Sequence, residues 1–225
     1  MPYKKTVVLF ALALLFVSGC GQVDVQKNES MIEENSKTTE ATTPTENTNT
    51  AATSSNSSAT TSSTAVNPNK TYTFPGTLTA EEIQNKNIRI KTAKGDIVFE
   101  LFADTAPMTV SNFVYLAKEG YYDGLIFHRR EEGFVIQGGD PLGTGRGGPG
   151  YRFNDELNDS YTYERGIVAM ANAGANTNGS QFFIMLADVP LPKSYSIFGR
   201  VLEGLDVVDQ IKVGDEMISV IVEDK

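Results

Sequence analysis

Hydrophobic and polar positions divide the chain into three parts. Residues 6–17 form an unbroken, mostly apolar run. Residues 21–69 hold few aromatic or branched apolar side chains and are dominated by Thr, Ser, Asn, Ala and Glu. From about Tyr72 onward, short apolar runs alternate with polar and glycine-bearing stretches, which is typical of a folded domain. We therefore expect one globular unit in the C-terminal two-thirds of the chain.

The globular part predicts many short strands and two helices. The apolar runs 88–91 and 97–101 flank a glycine-bearing turn and predict a β-hairpin. Pro107, followed by apolar residues at helical spacing, predicts one helix, and residues 205–213 predict a second. Further strand-like runs occupy residues 125–129, 134–137, 166–170, 181–186, 196–201 and 218–222. This pattern favours a mostly β fold, a closed antiparallel eight-stranded barrel capped by two α-helices.

The apolar run near the N-terminus indicates an export signal. Lys4 and Lys5 supply a positive start, and the run is too short to span a bilayer core comfortably. It ends at residues 17–20 (Val-Ser-Gly-Cys), which resemble the bacterial lipobox. The resemblance implies a lipoprotein signal peptide over residues 1–19 and acylation of Cys20, which would anchor the mature chain to the lipid bilayer. A plain signal peptide with an incidental cysteine and a short transmembrane anchor are the alternatives.

Residues 20–70 are expected to form a lipidated, disordered tether. Their composition cannot bury enough apolar surface to offset the chain entropy. Such a segment reaches ~40 Å on average by flexible-chain scaling, and about 170 Å when fully extended. A leash through the cell wall of a Gram-positive bacterium and a linker of no particular length both fit. A capping box at residues 79–82 predicts a short helix in a pre-domain segment over 71–86.

Charge and composition exclude several classes of function. The net charge of −9 repels phosphate backbones, so nucleic acid is not an expected partner. It also opposes direct adsorption to an anionic membrane, so attachment has to come from the acyl group. With one cysteine and one histidine in the chain, a Cys/His zinc site is ruled out. We expect no metal, no cofactor and a monomer.

A glycine-rich stretch between the predicted strands matches a dinucleotide-binding fingerprint by spacing alone. Residues 143–148 read G-x-G-x-x-G, but Pro149 follows where that fingerprint needs a helix to begin. No Gly-Lys-Ser/Thr follows either, so a P-loop is excluded as well. The stretch is therefore predicted to be an irregular surface loop with positive-φ glycines.

Three segments carry a resemblance to a known family. They contain Phe-His-Arg and Gly-Phe-Val-Ile-Gln-Gly-Gly-Asp within residues 127–140, Met-Ala-Asn-Ala-Gly and Asn-Gly-Ser-Gln-Phe-Phe-Ile within 170–184, and Ile-Phe-Gly-Arg-Val at 197–201. In order and spacing these resemble the cyclophilin signature, and the likeness runs from about Asn87 to the C-terminus. The resemblance implies a cyclophilin-like isomerase domain over 87–225, which binds proline-containing polypeptides and catalyses cis–trans rotation about X-Pro bonds.

The resemblance also implies roles for individual residues. Arg129 stands where cyclophilins keep their catalytic arginine. The implied substrate-binding residues are Phe134, Val135, Gln137, Ala171, Asn172, Gln181, Phe183, Leu191 and Tyr195. Gln181 and Phe183 are two positions apart on a predicted strand and so share one face, while the alternate positions, Phe182 and Ile184, turn into the core.

The chain departs from the family pattern at a few pocket positions. Val135 replaces a common methionine, and Pro190 stands where many cyclophilins have a tryptophan whose indole matters for cyclosporin. Tyr195 replaces a histidine at the pocket rim and can supply an aromatic wall and a hydroxyl. His128 adjoins Arg129 and is expected to point to the opposite face of its strand as a structural residue.

Two functions remain open at this point. The first is an active isomerase that assists the folding of secreted proteins outside the membrane. The second is a non-catalytic proline-binding chaperone or adhesin on the same fold, because a fold does not determine a function.

Overall fold

The computed structural model describes residues 70–225, so the predicted signal peptide, Cys20 and the tether up to residue 69 lie outside the described residues. The described helices are α1 (Ala80–Ile83), α2 (Pro107–Lys118) and α3 (Leu205–Gln210). The strands are β1 (Lys86–Thr92), β2 (Gly95–Leu101), β3 (Arg129–Glu131), β4 (Val135–Gly138), β5 (Ile167–Met170), β6 (Phe182–Met185), β7 (Ile197–Glu203) and β8 (Ser219–Asp224). From residue 70 onward, no helix has both the length and the apolar character needed to cross a bilayer.

The eight strands form one curled antiparallel sheet in the order β3-β4-β6-β5-β7-β2-β1-β8. The edge strands β3 and β8 do not pair, so the sheet is an open half-barrel, and the prediction of a closed eight-stranded barrel is wrong. The predicted strand over 125–129 is the reason. Most of it runs as a loop that exchanges hydrogen bonds with the loop before β8, where the N–H of Phe127 donates to the C=O of Asp215 (2.8 Å). The two edges therefore meet through loops and not through paired strands.

Helix α2 lies against the concave face of the sheet and supplies much of the core. Its Phe113 side chain is fully buried and contacts four aromatic rings, those of Phe99, Tyr122, Phe182 and Phe198. Pro107 occupies the first turn, as the sequence predicted. Helix α3 ends at Gln210, earlier than the predicted residue 213.

The first turn of α2 is capped from a distant part of the chain. Its N-cap residue, Ala106, has no side chain that can accept a hydrogen bond. The carboxylate of Glu156 replaces it, accepting the N–H groups of Met108 (2.9 Å) and Thr109 (2.7 Å). A negative charge at a helix N-terminus also interacts favourably with the helix dipole. The loop that carries Glu156 is thereby fastened to the core.

Both faces of the central strands are covered, each by its own apolar cluster. Phe182 and Ile184 of β6 point into the main core with α2, as predicted. Phe183 and Met185 point the other way, into a second cluster on the convex face. Because neither face is left to solvent, β5 and β6 read as continuous apolar runs and show no alternation of apolar and polar residues.

The segment before β1 packs on the same core. Tyr72 is buried and its ring meets that of Tyr121 edge-on at 5.0 Å. Phe74 stacks on Phe153 at 5.2 Å. Helix α1 begins with the predicted capping box at Thr79. Residues 71–86 are therefore an ordered extension of the domain, held on the α2 side of the sheet.

Candidate active site

Strand register places three predicted site residues in a row on the convex face of the sheet. Arg129 of β3 lies opposite Gln137 of β4, and Gln137 lies opposite Phe183 of β6. Directly opposed residues of an antiparallel sheet project to the same side. The row therefore joins a cation, an amide and an aromatic ring although the three residues are up to fifty-four positions apart in the chain.

The guanidinium of Arg129 is held in place at the rim of this face. Its Nη1 donates to Oε1 of Gln137 (3.2 Å), and Nη2 forms an ion pair with Glu131. Its Cζ lies 5.6 Å from the centroid of the Phe134 ring. The side chain is 45% exposed. Since an arginine has five N–H donors in a fixed fork, several donors stay available to a ligand above the sheet.

Two amides continue the hydrogen bonding from Arg129 across the sheet. Nε2 of Gln137 donates to Oε1 of Gln181 (2.9 Å), and Nε2 of Gln181 donates to the C=O of Gly147 (2.8 Å). Every bond in this relay runs in the same direction, so each amide has one defined orientation. The relay thus fixes the oxygen of Gln137 that accepts from Arg129.

Five apolar residues cluster on the same side of the sheet as the guanidinium, and the surface they form is called the hollow below. Val135 and Phe183 are almost fully buried, at 1% and 5% exposure. Phe134, Leu191 and Tyr195 are partly buried and pack against the same cluster. Because the guanidinium lies over the Phe134 ring, this apolar surface borders one fixed cation.

Tyr195 is held as a wall of the hollow by a second tyrosine. Its ring meets that of Phe183 edge-on, with centroids 5.4 Å apart. The hydroxyl of Tyr163 accepts the N–H of Tyr195 (3.1 Å) and donates to its C=O (3.0 Å). Tyr195 is thus positioned through its backbone, and its own hydroxyl makes no hydrogen bond to any residue from 70 to 225.

The predicted residues Ala171 and Asn172 form an edge next to the hollow. The N–H of Ala171 donates to the C=O of Gln181 (2.9 Å), and Nδ2 of Asn172 donates to the C=O of Ser194 (2.7 Å). Within the part of the chain that the structure describes, the backbone N–H and C=O of Asn172 make no hydrogen bond. An extended peptide could pair with them.

The glycine-rich loop is built around a buried carboxylate. Asp140, at 1% exposure, accepts the N–H groups of Leu142 (2.8 Å) and Thr144 (2.9 Å), and also that of Gly145. Burial alone would raise the pKa of this carboxyl, but the backbone N–H groups together outweigh it and lower the pKa. A Cβ at Gly147 would overlap the carboxylate, so this position requires glycine.

A groove of about 820 Å³ is lined by this loop, by the edge at Asn172, and by Gln137 and Gln181. As predicted, no helix begins after the glycine motif, and Gly143, Gly145 and Gly150 have positive φ.

Some residues near the site were not found from the sequence. Glu131 lies two positions after Arg129 on β3, and this spacing alone could have placed it on the same face. Gly147 acts through its backbone oxygen, for which a sequence carries no signal.

His128 makes no hydrogen bond to a described residue through either ring nitrogen, and burial lowers the pKa of its imidazole. Over residues 70–225, no cluster of His, Cys, Asp or Glu is placed to hold a metal ion.

Comparison with known proteins gives consistent matches. The family model described as "Cyclophilin type peptidyl-prolyl cis-trans isomerase/CLD" matches residues 87–223. A peptidyl-prolyl cis-trans isomerase of Helicobacter pylori (strain ATCC 700392 / 26695) is 48% identical over 160 residues, which cover 69% of this chain and 96% of that protein. The isomerase ppi1 of Schizosaccharomyces pombe is 56% identical over 126 residues, which cover 54% of this chain and 81% of that protein.

Solved structures agree in fold. The crystal structure of a cyclophilin type peptidyl-prolyl cis-trans isomerase from Cryptosporidium parvum aligns with a TM-score of 0.59 at 39% identity, covering 62% of this chain and 98% of that chain. A structure of that protein in the presence of the dipeptide Ala-Pro aligns with a TM-score of 0.54 at 41% identity. The alignment covers 61% of this chain and 96% of that chain.

Proposed function

The chain belongs to the cyclophilin-type peptidyl-prolyl cis-trans isomerases, and from that premise we propose that it accelerates X-Pro rotation in extracytoplasmic polypeptides while anchored to a membrane through Cys20. The isomerase function itself is supported by the family model and by the named relatives. The observation that carries the residue roles is the row of Arg129, Gln137 and Phe183 beside an apolar hollow.

The reaction makes and breaks no covalent bond. An X-Pro bond resists rotation because the nitrogen lone pair is delocalised into the carbonyl, with a barrier of ~18–20 kcal/mol. At the twisted transition state the lone pair returns to nitrogen, which then accepts a hydrogen bond better than it does in the planar amide. An interaction that strengthens only in the transition state lowers the barrier, and each ~1.4 kcal/mol gives a tenfold rate.

Arg129 is the residue proposed to stabilise the twisted amide. Its guanidinium is always charged and its donors are fixed in a fork. With Phe183 and Val135 beneath it, the proline ring is held in apolar surroundings, where a charge-assisted hydrogen bond is stronger than in water. The Gln137 amide holds the guanidinium at 3.2 Å and so aims it at the hollow.

The remaining site residues are proposed to hold the peptide while one side of the bond rotates. The backbone of Asn172 offers a donor and an acceptor to an extended chain, next to Ala171. Leu191 and Tyr195 close the hollow around the ring. Gln181 fixes the Gln137 amide and also borders the groove.

Location is proposed from the N-terminal sequence. The lipobox-like residues 17–20 predict a diacylglyceryl group on Cys20, and each buried acyl CH₂ contributes ~0.8 kcal/mol to membrane binding. One chain anchors only marginally, whereas two anchor stably. The Ser/Thr/Asn-rich tether then holds the domain away from the outer face of the cell membrane, in a Gram-positive cell envelope, where secreted clients fold.

The catalytic proposal is tested with an X-Pro peptide and the full chain in detergent. Arg129→Ala removes the hydrogen bond to the twisted nitrogen, and we expect kcat/KM to fall about a hundredfold, since such a bond is worth about 3 kcal/mol. Arg165→Ala is the matched control, because Arg165 pairs with Asp209 outside the site. Equal activity in wild type and Arg129→Ala would refute the role of Arg129. Activity in none of the proteins would favour a proline-binding chaperone or adhesin.

The anchor is tested by replacing Cys20 with Ala. We expect the variant to leave the membrane fraction, and intact-mass spectrometry to find an acyl-modified N-terminal cysteine only in the wild type. Unchanged retention together with an unmodified wild-type mass would contradict lipidation.

A further inference from the structure

The groove beside the hollow carries a charge that the isomerisation step does not use. Arg146 of the glycine-rich loop and Arg152, shortly after it, line this groove together with Asn172 and Thr177. Both arginines are exposed, and no Asp or Glu belongs to the lining. The groove's lining includes three residues that are proposed to hold the peptide, Ala171, Asn172 and Gln181, so a bound peptide is expected to run along it.

These two arginines differ from the other arginines of the described domain. Arg89, Arg129, Arg130 and Arg165 each form an ion pair with an acidic side chain, and Arg200 lies over the rings of Phe102 and Tyr161. Among residues 70–225, no ion pair or side-chain hydrogen bond includes the guanidinium of Arg146 or Arg152. The groove therefore presents two cations without an internal counter-charge.

The carboxylates next to the groove are already engaged within the protein. Asp140 is buried beneath the loop and accepts backbone N–H groups. Asp155 accepts the N–H of Asn176 (2.8 Å) and Nδ2 of Asn178 (2.7 Å). Within residues 70–225, neither carboxylate forms an ion pair with Arg146 or Arg152.

We propose that Arg146 and Arg152 make the enzyme select client segments with an acidic side chain close to the isomerised proline. A guanidinium pairs well with a carboxylate because its parallel N–H donors match the two oxygens. The net charge of −9 repels such a segment at long range. Salt screens that field over about 8 Å at physiological ionic strength, so the two contact charges dominate once the peptide is seated. The proposal rests on the proposed isomerase function and adds a preference among its substrates.

The test is a peptide series measured by NMR exchange spectroscopy, which avoids a coupling protease with its own charge preference. Each peptide has one Ala-Pro bond and carries Glu, Gln or Lys at one of the two positions before it or the two after it. For at least one position we expect kcat/KM to be about threefold higher with Glu than with Gln, as for one exposed ion pair, and lower with Lys. In the double variant Arg146→Gln/Arg152→Gln we expect the ratio of kcat/KM between the Glu and the Gln peptide to fall to about one.

A second double variant is the control for overall charge. Lys91→Gln/Arg165→Gln removes the same number of positive charges outside the groove and is expected to keep the preference for Glu. The proposal is overturned if Glu is never favoured, if the groove variant keeps the gain, or if the control loses it equally. Absence of activity on every peptide, Gln peptides included, overturns the isomerase function and this preference with it.

Discussion

Replacing Asp140 by asparagine probes how the glycine-rich loop is held. The carboxylate accepts the N–H of Leu142 on Oδ1 and those of Thr144 and Gly145 on Oδ2. An asparagine has one acceptor oxygen and one NH₂ group of the same size. In either orientation the NH₂ group faces at least one backbone N–H, so a donor opposes a donor inside a site that is 1% exposed.

The magnitude follows from those contacts. A hydrogen bond to a charged group contributes about 1.5–3 kcal/mol, and a buried group left without a partner costs about 1–3 kcal/mol. We expect Asp140→Asn to lower the free energy of unfolding by about 2–4 kcal/mol. That corresponds to a fall in Tm of about 5–15 °C for a domain of this size. The matched control is Asp188→Asn, because Asp188 is exposed and accepts one backbone N–H, that of Arg165.

The pH dependence gives a second, independent readout. The pKa of Asp140 is lower in the folded protein than in the unfolded chain. The stability contributed by the ionised Asp140 carboxylate is therefore fully present above the unfolded pKa of about 3.9, and is lost as the pH falls through the pKa of the folded protein. Urea unfolding curves at pH 7 and at decreasing pH below 4 should show the difference between wild type and Asp140→Asn shrinking. A difference under 0.5 kcal/mol at pH 7 (about the size expected for the control), or one that is the same at every pH, would refute this account.

Three further predictions concern the cap, the relay and the core. Glu156→Gln removes the charge at the start of α2 and should lower the free energy of unfolding by about 1 kcal/mol in a denaturant titration. An unchanged denaturation midpoint would show that helix α2 does not need the distant cap. Gln181→Ala leaves the Gly147 carbonyl and the Gln137 amide without their hydrogen-bond partner, so kcat/KM should fall about fivefold, the equivalent of one hydrogen bond. Tm should stay within a few degrees of the wild-type value. A large loss of Tm would mean that the relay is structural. Phe113→Ala should lower the free energy of unfolding by about 3–5 kcal/mol, measured by thermal melting, and a loss below 1 kcal/mol would mean that the ring stack is not the centre of the core.

Local signals in the sequence predicted most of the individual elements. The hairpin β1–β2, helix α2 with Pro107 in its first turn, and the two-sided packing of residues 182–184 all follow from turn chemistry and periodicity. The prediction of the closed barrel failed because closure depends on the pairing of edge strands. Residues 125–128 (Leu-Ile-Phe-His) look like the start of a strand, yet the backbone groups of Leu125 and Phe127 pair with a distant loop over 214–217, and no local pattern encodes that choice.

The arrangement of the candidate site was predictable to the extent that side chains form it. Motif spacing brought Arg129, Gln137 and Phe183 into consideration, and strand register then placed them in one row. What the sequence could not predict was the part supplied by the backbone. The Gly147 oxygen that ends the relay is one example, and the Asp140 carboxylate that shapes the loop by accepting main-chain N–H groups is another.

The way residues 70–78 join the domain has a mechanical consequence. Lys70 pairs with Glu119 at the end of α2, Tyr72 meets the Tyr121 ring edge-on, and Phe74 stacks on Phe153. A tensile force transmitted along the chain to residue 70 would act on these contacts as shear between the packed rings. The row of Arg129, Gln137 and Phe183 lies on the convex side, so a load that enters the domain at Lys70 would reach helix α2 before it could distort that row.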